Sequence, residues 1–334
     1  MTDWSFDRDA IRAFRFVRCE LDAAAVTARL VCAFDDGPEL VETVTIPGAP
    51  FELDGERQAA ATAALRLLHL VAGVSYYKAA VPPEIRIEGY AIDQATADLL
   101  RMVYRNGLGE FAYRNGIDLD ARIRFPVGAA EAAMLLASPP IAASAPTMAA
   151  TALVAIGGGK DSLVSIEALR AAGVAQTVTW IGGSQLIAAC AARTGLPTLN
   201  IGRQLAPQLF DFNRQGAWNG HIPVTAVNSA ILVLAAVLRG DAQVVFSNER
   251  SASYGSIITL ADGSGTGEVN HQWSKGWEFE SAFGEHVARH VAPGVHYYSL
   301  LRPMSELAVA RQFAKGDRYD AWFSSCNRNF HLLG

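Results

Sequence analysis

At 334 residues the chain is long for a single compact core, so two domains are expected. Its composition is globular, 51% hydrophobic and 18% charged, and its net charge of -5 argues against a nucleic-acid partner, which needs a basic face. The four cysteines, Cys19, Cys32, Cys190 and Cys326, include no C-x-x-C pair, which argues against structural zinc and for reduced thiols in a cytoplasmic setting.

The first fifteen residues mix three aspartates with three arginines and do not read as a secretory signal. Alternating segments over residues 14–21, 26–32 and 41–46, with a turn at Asp35-Asp36-Gly37-Pro38, predict an antiparallel meander. Leu65, Leu68, His69, Ala72 and Tyr76 fall at helical spacing and predict a helix over about 56–78, with His69 on its packed stripe. A short strand over 84–88 and a second helix over about 93–114 complete a smaller α+β domain, residues 1–125.

Residues 126–150 turn to Ala, Pro and Ser and read as a linker. The uncharged run 132–159 is broken by Pro139, Pro140 and Pro146, so no membrane span is expected there. From residue 151 to 334 the rhythm becomes strand, helix, strand, helix. Strands are predicted over 153–156, 176–181, 197–201 and 243–247, and helices over 163–172, 184–194 and 224–239. The helix over 224–239 is apolar but carries Thr225, Asn228 and Ser229, and reads as a buried core helix. This alternation predicts an α/β fold with a parallel sheet covered on both faces. Ligands of such sheets bind beyond the C-terminal strand ends, which lines up Gly157 to Ser162, Gly182-Gly183 and Asn248-Glu249-Arg250 along one edge.

The segment Gly157-Gly158-Gly159-Lys160-Asp161-Ser162 leaves a strand and enters a helix. Three glycines let the backbone approach phosphate oxygens, and the helix N-terminus offers free N–H groups and the positive end of its dipole. Lys160 adds a charge and Ser162 a hydroxyl. Asp161 suits a phosphate site only if it holds Mg²⁺, so a metal-bound nucleotide is expected. The spacing is neither G-x-x-x-x-G-K-[ST] nor G-x-G-x-x-G.

This loop resembles the S-G-G-x-D-S loop of the ATP pyrophosphatase superfamily, with Gly157 in place of the first serine. That resemblance implies a nucleotide-binding domain of the adenine-nucleotide alpha-hydrolase-like type. It also implies pyrophosphate on the loop and adenosine near the second strand's end, around Trp180, Gly182 and Gly183. Four further segments narrow it: Gly73-Val74-Ser75-Tyr76-Tyr77-Lys78 with Pro82-Pro83-Glu84, Gly220 to Asn228, Asn248-Glu249-Arg250-Ser251-Ala252, and Asn270-His271-Gln272-Trp273-Ser274-Lys275. Together they resemble the ATP-dependent UDP-N-acetylmuramoyl-L-alanyl-L-glutamate epimerases of bacterial wall synthesis. Members of that family continue past Ser325-Cys326-Asn327-Arg328 into a cysteine-bearing tail.

The chemistry so implied uses ATP and Mg²⁺ on a UDP-linked muramoyl dipeptide. An amide nitrogen cannot form a Schiff base, and a free carboxylate resists a second negative charge on the adjacent carbon. Adenylation removes that charge, making the α-hydrogen acidic enough for a base; reprotonation on the other face gives the D configuration, and hydrolysis of the adenylate releases AMP. His271 titrates near neutrality in a polar segment and suits proton transfer. Lys275 suits a base or a phosphate clamp, with a solvated lysine as the alternative. Glu249 could bind Mg²⁺ or ribose, or pair near Arg250. Tyr76, Tyr77 and Lys78 could meet sugar or diphosphate, or pack between domains. His221, Asn228, Asn248 and Arg250 complete the candidate substrate set, and Cys326 is either a proton carrier or a buried thiol. Two other readings share the loop: adenylation of a tRNA or small base, and a nucleotide sensor without turnover.

Overall fold

In a computed structural model, which describes residues 4–128, 148–259 and 266–324 except 23, 26, 49, 50 and 52, the predicted meander is present. It comprises β1 (Ala13–Asp22), β2 (Thr27–Phe34) and β3 (Leu40–Thr45), each antiparallel to the next. Asp35 closes the β2 end in a left-handed conformation, φ 41°, and its carboxylate accepts the Ala13 N–H at 2.8 Å. The helix expected over 56–78 is two helices, α1 (Gly55–Ala72) and α2 (Val74–Tyr77). They part at Gly73, where a Cβ would fall 2.3 Å from the Phe16 ring, so only glycine lets the chain pass. Strand β4 (Glu84–Ile87) runs parallel to β1. Asp93 then caps α3 (Gln94–Gly107), accepting the Thr96 N–H at 2.8 Å, and α4 (Gly109–Asn115) follows. Residues 129–147, most of the predicted linker, lie outside the described residues.

The second half alternates as predicted: β5 (Ala149–Ala155), α5 (Lys160–Ala171), β6 (Ala175–Ile181), α6 (Gln185–Arg193) and β7 (Thr198–Gln204). Ser184 caps α6 by accepting the Ile187 N–H. Next come α7 (Gln208–Arg214), which the hydrophobic pattern did not announce, then α8 (Val224–Arg239) and β8 (Asp241–Phe246). The hairpin β9 (Ser256–Thr259) and β10 (Thr266–Val269) precedes α9 (Trp277–His286), β11 (His296–Ser299) and α10 (Glu306–Phe313).

Nine strands form one mixed sheet in the order β11-β8-β5-β6-β7-β3-β2-β1-β4. Its first five strands are parallel. The meander joins them edge to edge, with Thr43, Val44 and Thr45 of β3 antiparallel to Gln204, Arg203 and Gly202 of β7. At that seam Glu42, fully buried, pairs with Arg203 at 2.7 Å, and Arg203 also donates to Ser75 Oγ at 3.2 Å. A carboxylate reaches the interior there only because a guanidinium meets it.

Helices α1 and α8 pack against each other within a continuous core that spans both parts of the sheet. Residues 55–77 are long and apolar enough to cross a bilayer, yet 78% of the most apolar window is buried inside the fold, and α8 is buried almost throughout. A second cluster, including Val154, Leu163, Ile166 and Cys190, lies under α5 and α6 on the other face. Each fully buried Leu, Ile or Phe contributes roughly 1.5–3 kcal/mol. His69 is in the core, as expected. Its Nε2 faces the Val31 carbonyl at 3.0 Å, so that nitrogen carries the proton, and Nδ1 accepts from Tyr90 at 2.9 Å. Burial lowers its pKa to about 4.

Candidate functional site

The parallel strands are added outward from β5 to β6 and β7, and the chain then returns past β5 to lay down β8. In open α/β sheets such a reversal leaves a crevice beyond the C-terminal strand ends, here those of β5 and β8, where ligands usually bind. The glycine loop fills one side of it. Ile156 N–H bonds the Thr179 carbonyl at 2.9 Å and ends the strand pairing. Gly157 is exposed, and Gly158 takes φ +77°, which reverses the chain. Gly159 is the N-cap of α5 and has no capping side chain, so among the described residues no side chain occupies the first N–H groups of α5. The loop is fastened from outside: Ser324 N–H donates to the Gly158 carbonyl at 2.8 Å.

The side chains of the loop divide their roles. Ser162 donates to the Gly159 carbonyl at 3.0 Å, so its hydroxyl braces the turn rather than standing free for a phosphate. Lys160 Nζ lies 2.9 Å from Asp161 Oδ1 and 3.6 Å from Glu306 Oε1 at the start of α10. Burial depresses the Lys160 pKa, but these two carboxylates outweigh it and the net shift is upward. Asp161 Oδ1 is shielded from solvent, and its close partner is the Lys160 ammonium.

Across the crevice stands a 3₁₀ turn, Trp273–Lys275, preceded by His271. Burial lowers the Lys275 pKa, and the charge of Asp161 opposes that shift, so the two lie within electrostatic range of each other. His271 is exposed, its ring 6.1 Å from that of His221 at an interplanar angle of 80°. Although His221 is exposed overall, loss of solvent around its ring lowers its pKa. Glu110 opposes the shift, while His271 and Lys275 reinforce it. The loop, the 271–275 segment and His221 are thus gathered from three distant stretches of sequence.

Other predicted residues sit differently. Glu249 is buried at the head of a 3₁₀ turn and accepts both the Ser251 N–H and the Ser251 hydroxyl at 2.6 Å. Its carboxylate is a cap, and among the described residues it forms no ion pair. Asn248 donates to Ser299 Oγ at 3.0 Å, and Arg250 is exposed. Tyr76 and Tyr77 are in the core: Tyr76 Oη accepts the Ala206 N–H at 3.0 Å, and Tyr77 donates to the Pro82 carbonyl at 3.2 Å. Both hydroxyls are therefore engaged inside the fold. Lys78 is buried and donates to Asn219 Oδ1 at 2.8 Å. Asn228 is half-buried on α8, and no hydrogen bond reaches its amide among the described residues. Trp180 is the next-to-last residue of β6, and among the described residues its buried Nε1 has no partner; Gly182 and Gly183 follow, where added Cβ atoms would meet nothing within 4 Å. Cys326 lies outside the described residues. Among those described, no cluster of three or more His, Cys, Asp or Glu could hold a metal by itself.

Sequence reasoning missed the residue that organises this side of the crevice. Arg302 is largely buried and ion-paired to Glu280. It also donates to the carbonyls of Lys275 (2.8 Å) and Glu249 (3.2 Å) and to Ser253 Oγ (3.3 Å). One guanidinium thereby fixes both turns that flank the crevice. Arg302 lies far from every motif in the chain, so no local signal marks it.

The family model described as the MurL N-terminal domain matches residues 5–300. The chain is 70% identical over 330 residues to the UDP-N-acetyl-alpha-D-muramoyl-L-alanyl-L-glutamate epimerase of Xanthomonas oryzae pv. oryzae, a match covering 99% of this chain and 70% of that protein. Proteins of the same description from Micromonospora sp. and Salinispora tropica are 41% and 42% identical, over 96% and 90% of this chain and 69% and 63% of theirs.

Proposed function

The chain belongs to the MurL family, and from that premise we propose that it epimerises the terminal L-glutamate of UDP-N-acetylmuramoyl-L-alanyl-L-glutamate to D-glutamate for peptidoglycan precursor synthesis. ATP supplies the activation, converting the α-carboxylate into an acyl adenylate with release of pyrophosphate, and after inversion water cleaves the adenylate to D-glutamate and AMP. The observation that carries this reading is the glycine loop that opens α5 without a capping side chain, with Lys275 near enough for its charge to interact with Asp161 and the His271 ring 6.1 Å from that of His221.

The residues present fit a nucleotide. The uncapped start of α5 and the open glycine loop suit phosphate oxygens, with Lys160 as the flanking cation. The parallel order β7-β6-β5-β8-β11, with the loop after its central strand, supports an adenine-nucleotide alpha-hydrolase-like domain. The unpartnered Trp180 Nε1 and the open Gly182-Gly183 turn suit the nucleoside end. Mg²⁺ would be held by Asp161, whose side chain stays partly exposed beside the loop; a single protein carboxylate together with phosphate oxygens is an ordinary magnesium site.

His271 and Lys275 transfer the proton at the glutamate α-carbon. Burial moves Lys275 towards neutrality, the direction a proton-accepting lysine needs. His221 keeps its neighbour His271 oriented and is itself held below the ordinary histidine range. Glu249 acts as a positioning residue, because both its oxygens hold the Ser251 turn. His221, Asn228, Asn248 and Arg250 border the substrate. The protein is cytoplasmic, where UDP-linked precursors and ATP meet.

Incubation with ATP, Mg²⁺ and UDP-N-acetylmuramoyl-L-alanyl-L-glutamate as sole acceptor should release pyrophosphate and AMP. In deuterated water, the D-glutamate formed should carry deuterium at its α-carbon. No pyrophosphate with this acceptor overturns the adenylation, and retention of the original hydrogen in inverted product overturns the deprotonated intermediate.

A further inference from the structure

Lysine is almost never buried without a counter-charge, because an ammonium removed from water loses its hydration. Lys78 breaks that rule. It follows α2, is 7% exposed, and makes one hydrogen bond, to the neutral Asn219 Oδ1 at 2.8 Å. Among the described residues no carboxylate pairs with it, and burial alone depresses its pKa, with no charge of either sign contributing. Three donors therefore meet one neutral acceptor.

The surroundings hold this arrangement in place. The Trp218 N–H donates to the Ala79 carbonyl at 2.9 Å and ties the 218–221 segment to the Lys78 turn. Three residues beyond Lys78, Val81 sits at φ +48°, a region a β-branched side chain rarely occupies. Arg122, donating to the Val81 carbonyl at 2.8 Å, and Tyr77, donating to the Pro82 carbonyl, pin that strained turn. An unpaired buried charge and a strained valine in one turn both lower stability, and such features concentrate at ligand sites. Asn219 is exposed, and its Oδ1 accepts from both Lys78 Nζ and the Gly220 N–H at 2.9 Å. A neutral oxygen occupies the spot where two donors converge. Gly220 leads directly to His221 of the crevice.

We propose that Lys78 and the Gly220 N–H form an anion subsite beneath Asn219, which swings aside to admit a carboxylate or phosphate oxygen of the substrate. The proposal rests on the substrate reading above. Its two sources there are the side-chain carboxylate of the terminal glutamate and the diphosphate of the UDP group. Either would give the ammonium the counter-charge that the fold withholds.

The test is calorimetric binding, without turnover, of three probes: UDP-N-acetylmuramoyl-L-alanyl-L-glutamate, its analogue ending in L-glutamine, and UDP. Lys78→Met should raise the Kd for the glutamate ligand about tenfold or more. If the glutamate carboxylate is the anion, the variant binds the two dipeptide ligands alike and UDP as wild type does. If the diphosphate is the anion, all three weaken together. Thermal unfolding supplies a second readout: Lys78→Met should raise Tm, because a charge leaves the interior. Asn219→Ala, which removes only the neutral oxygen, should bind as tightly as wild type or tighter. Unchanged affinity in Lys78→Met, or equal losses in Lys78→Met and Asn219→Ala, overturns the subsite alone. No wild-type binding of any probe overturns the substrate reading and the subsite together.

Discussion

The seam between β3 and β7 depends on a charge that cannot stand alone. Arg203→Met keeps the bulk of the aliphatic stem but strands the Glu42 carboxylate, which is fully buried and already has one oxygen, Oε2, without a partner. Removing one member of a buried pair costs about 3–5 kcal/mol. Against a total stability of about 5–15 kcal/mol, that is from about a fifth of the margin to all of it. Urea unfolding followed by tryptophan fluorescence and far-ultraviolet circular dichroism should show the loss directly. The deficit should shrink as pH falls from about 8 to 5. A stranded carboxylate holds its proton more tightly in the folded chain than in the unfolded one, so protonation favours the fold and stability falls as pH rises. Glu42→Leu combined with Arg203→Met should return stability to within about 1 kcal/mol of wild type, since an apolar pair of similar volume fills the site without a charge. A loss below about 1 kcal/mol in the single variant, or a double variant no more stable than the single, would refute the reasoning.

Asp161→Asn should leave unfolding unchanged and lower pyrophosphate release by about a hundredfold or more, by removing the proposed magnesium ligand and a charge within electrostatic range of Lys275. Release at the wild-type rate would exclude Asp161 as that ligand. Acid should destabilise the protein before its carboxylates titrate. His69 and His286 are both held at about 4 by burial, below the ordinary 6.5, so the unfolded chain binds more protons between those values and stability declines as pH falls through that window. For His69, wholly buried, the full effect is about 3 kcal/mol. His69→Gln should flatten much of the slope of Tm between pH 6.5 and 4, and an unchanged slope would count against the assignment.

Local patterns reached most of the elements. Alternation over 14–21 and 41–46 found β1 and β3, because a strand with one face on the core exposes every second residue. The apolar run ending at Arg239 matched α8 to the residue. Helix α7 escaped because seven residues carry too little periodic signal, and α2 was merged with α1 because the reason for the break, the Phe16 ring against Gly73, lies on another strand. In the site, the loop and the 271–275 segment were legible because glycine, lysine, aspartate and histidine in short order have few structural uses. Tyr76 and Tyr77 looked equally functional, yet they are core residues, since a tyrosine hydroxyl satisfied by backbone leaves no trace in sequence.

The chain's linear order by itself determined the meander, the parallel α/β alternation and the glycine turn that opens α5, all of which follow from rules acting within about ten residues. Only the tertiary structure decided that β3 would lie against β7 in one sheet, that Arg302 would hold the Lys275 and Glu249 turns together, and that Lys78 would be buried with no opposing charge. Those outcomes depend on which distant surfaces meet, and a side chain's charge environment is set by neighbours in space, which carry no fixed spacing along the chain.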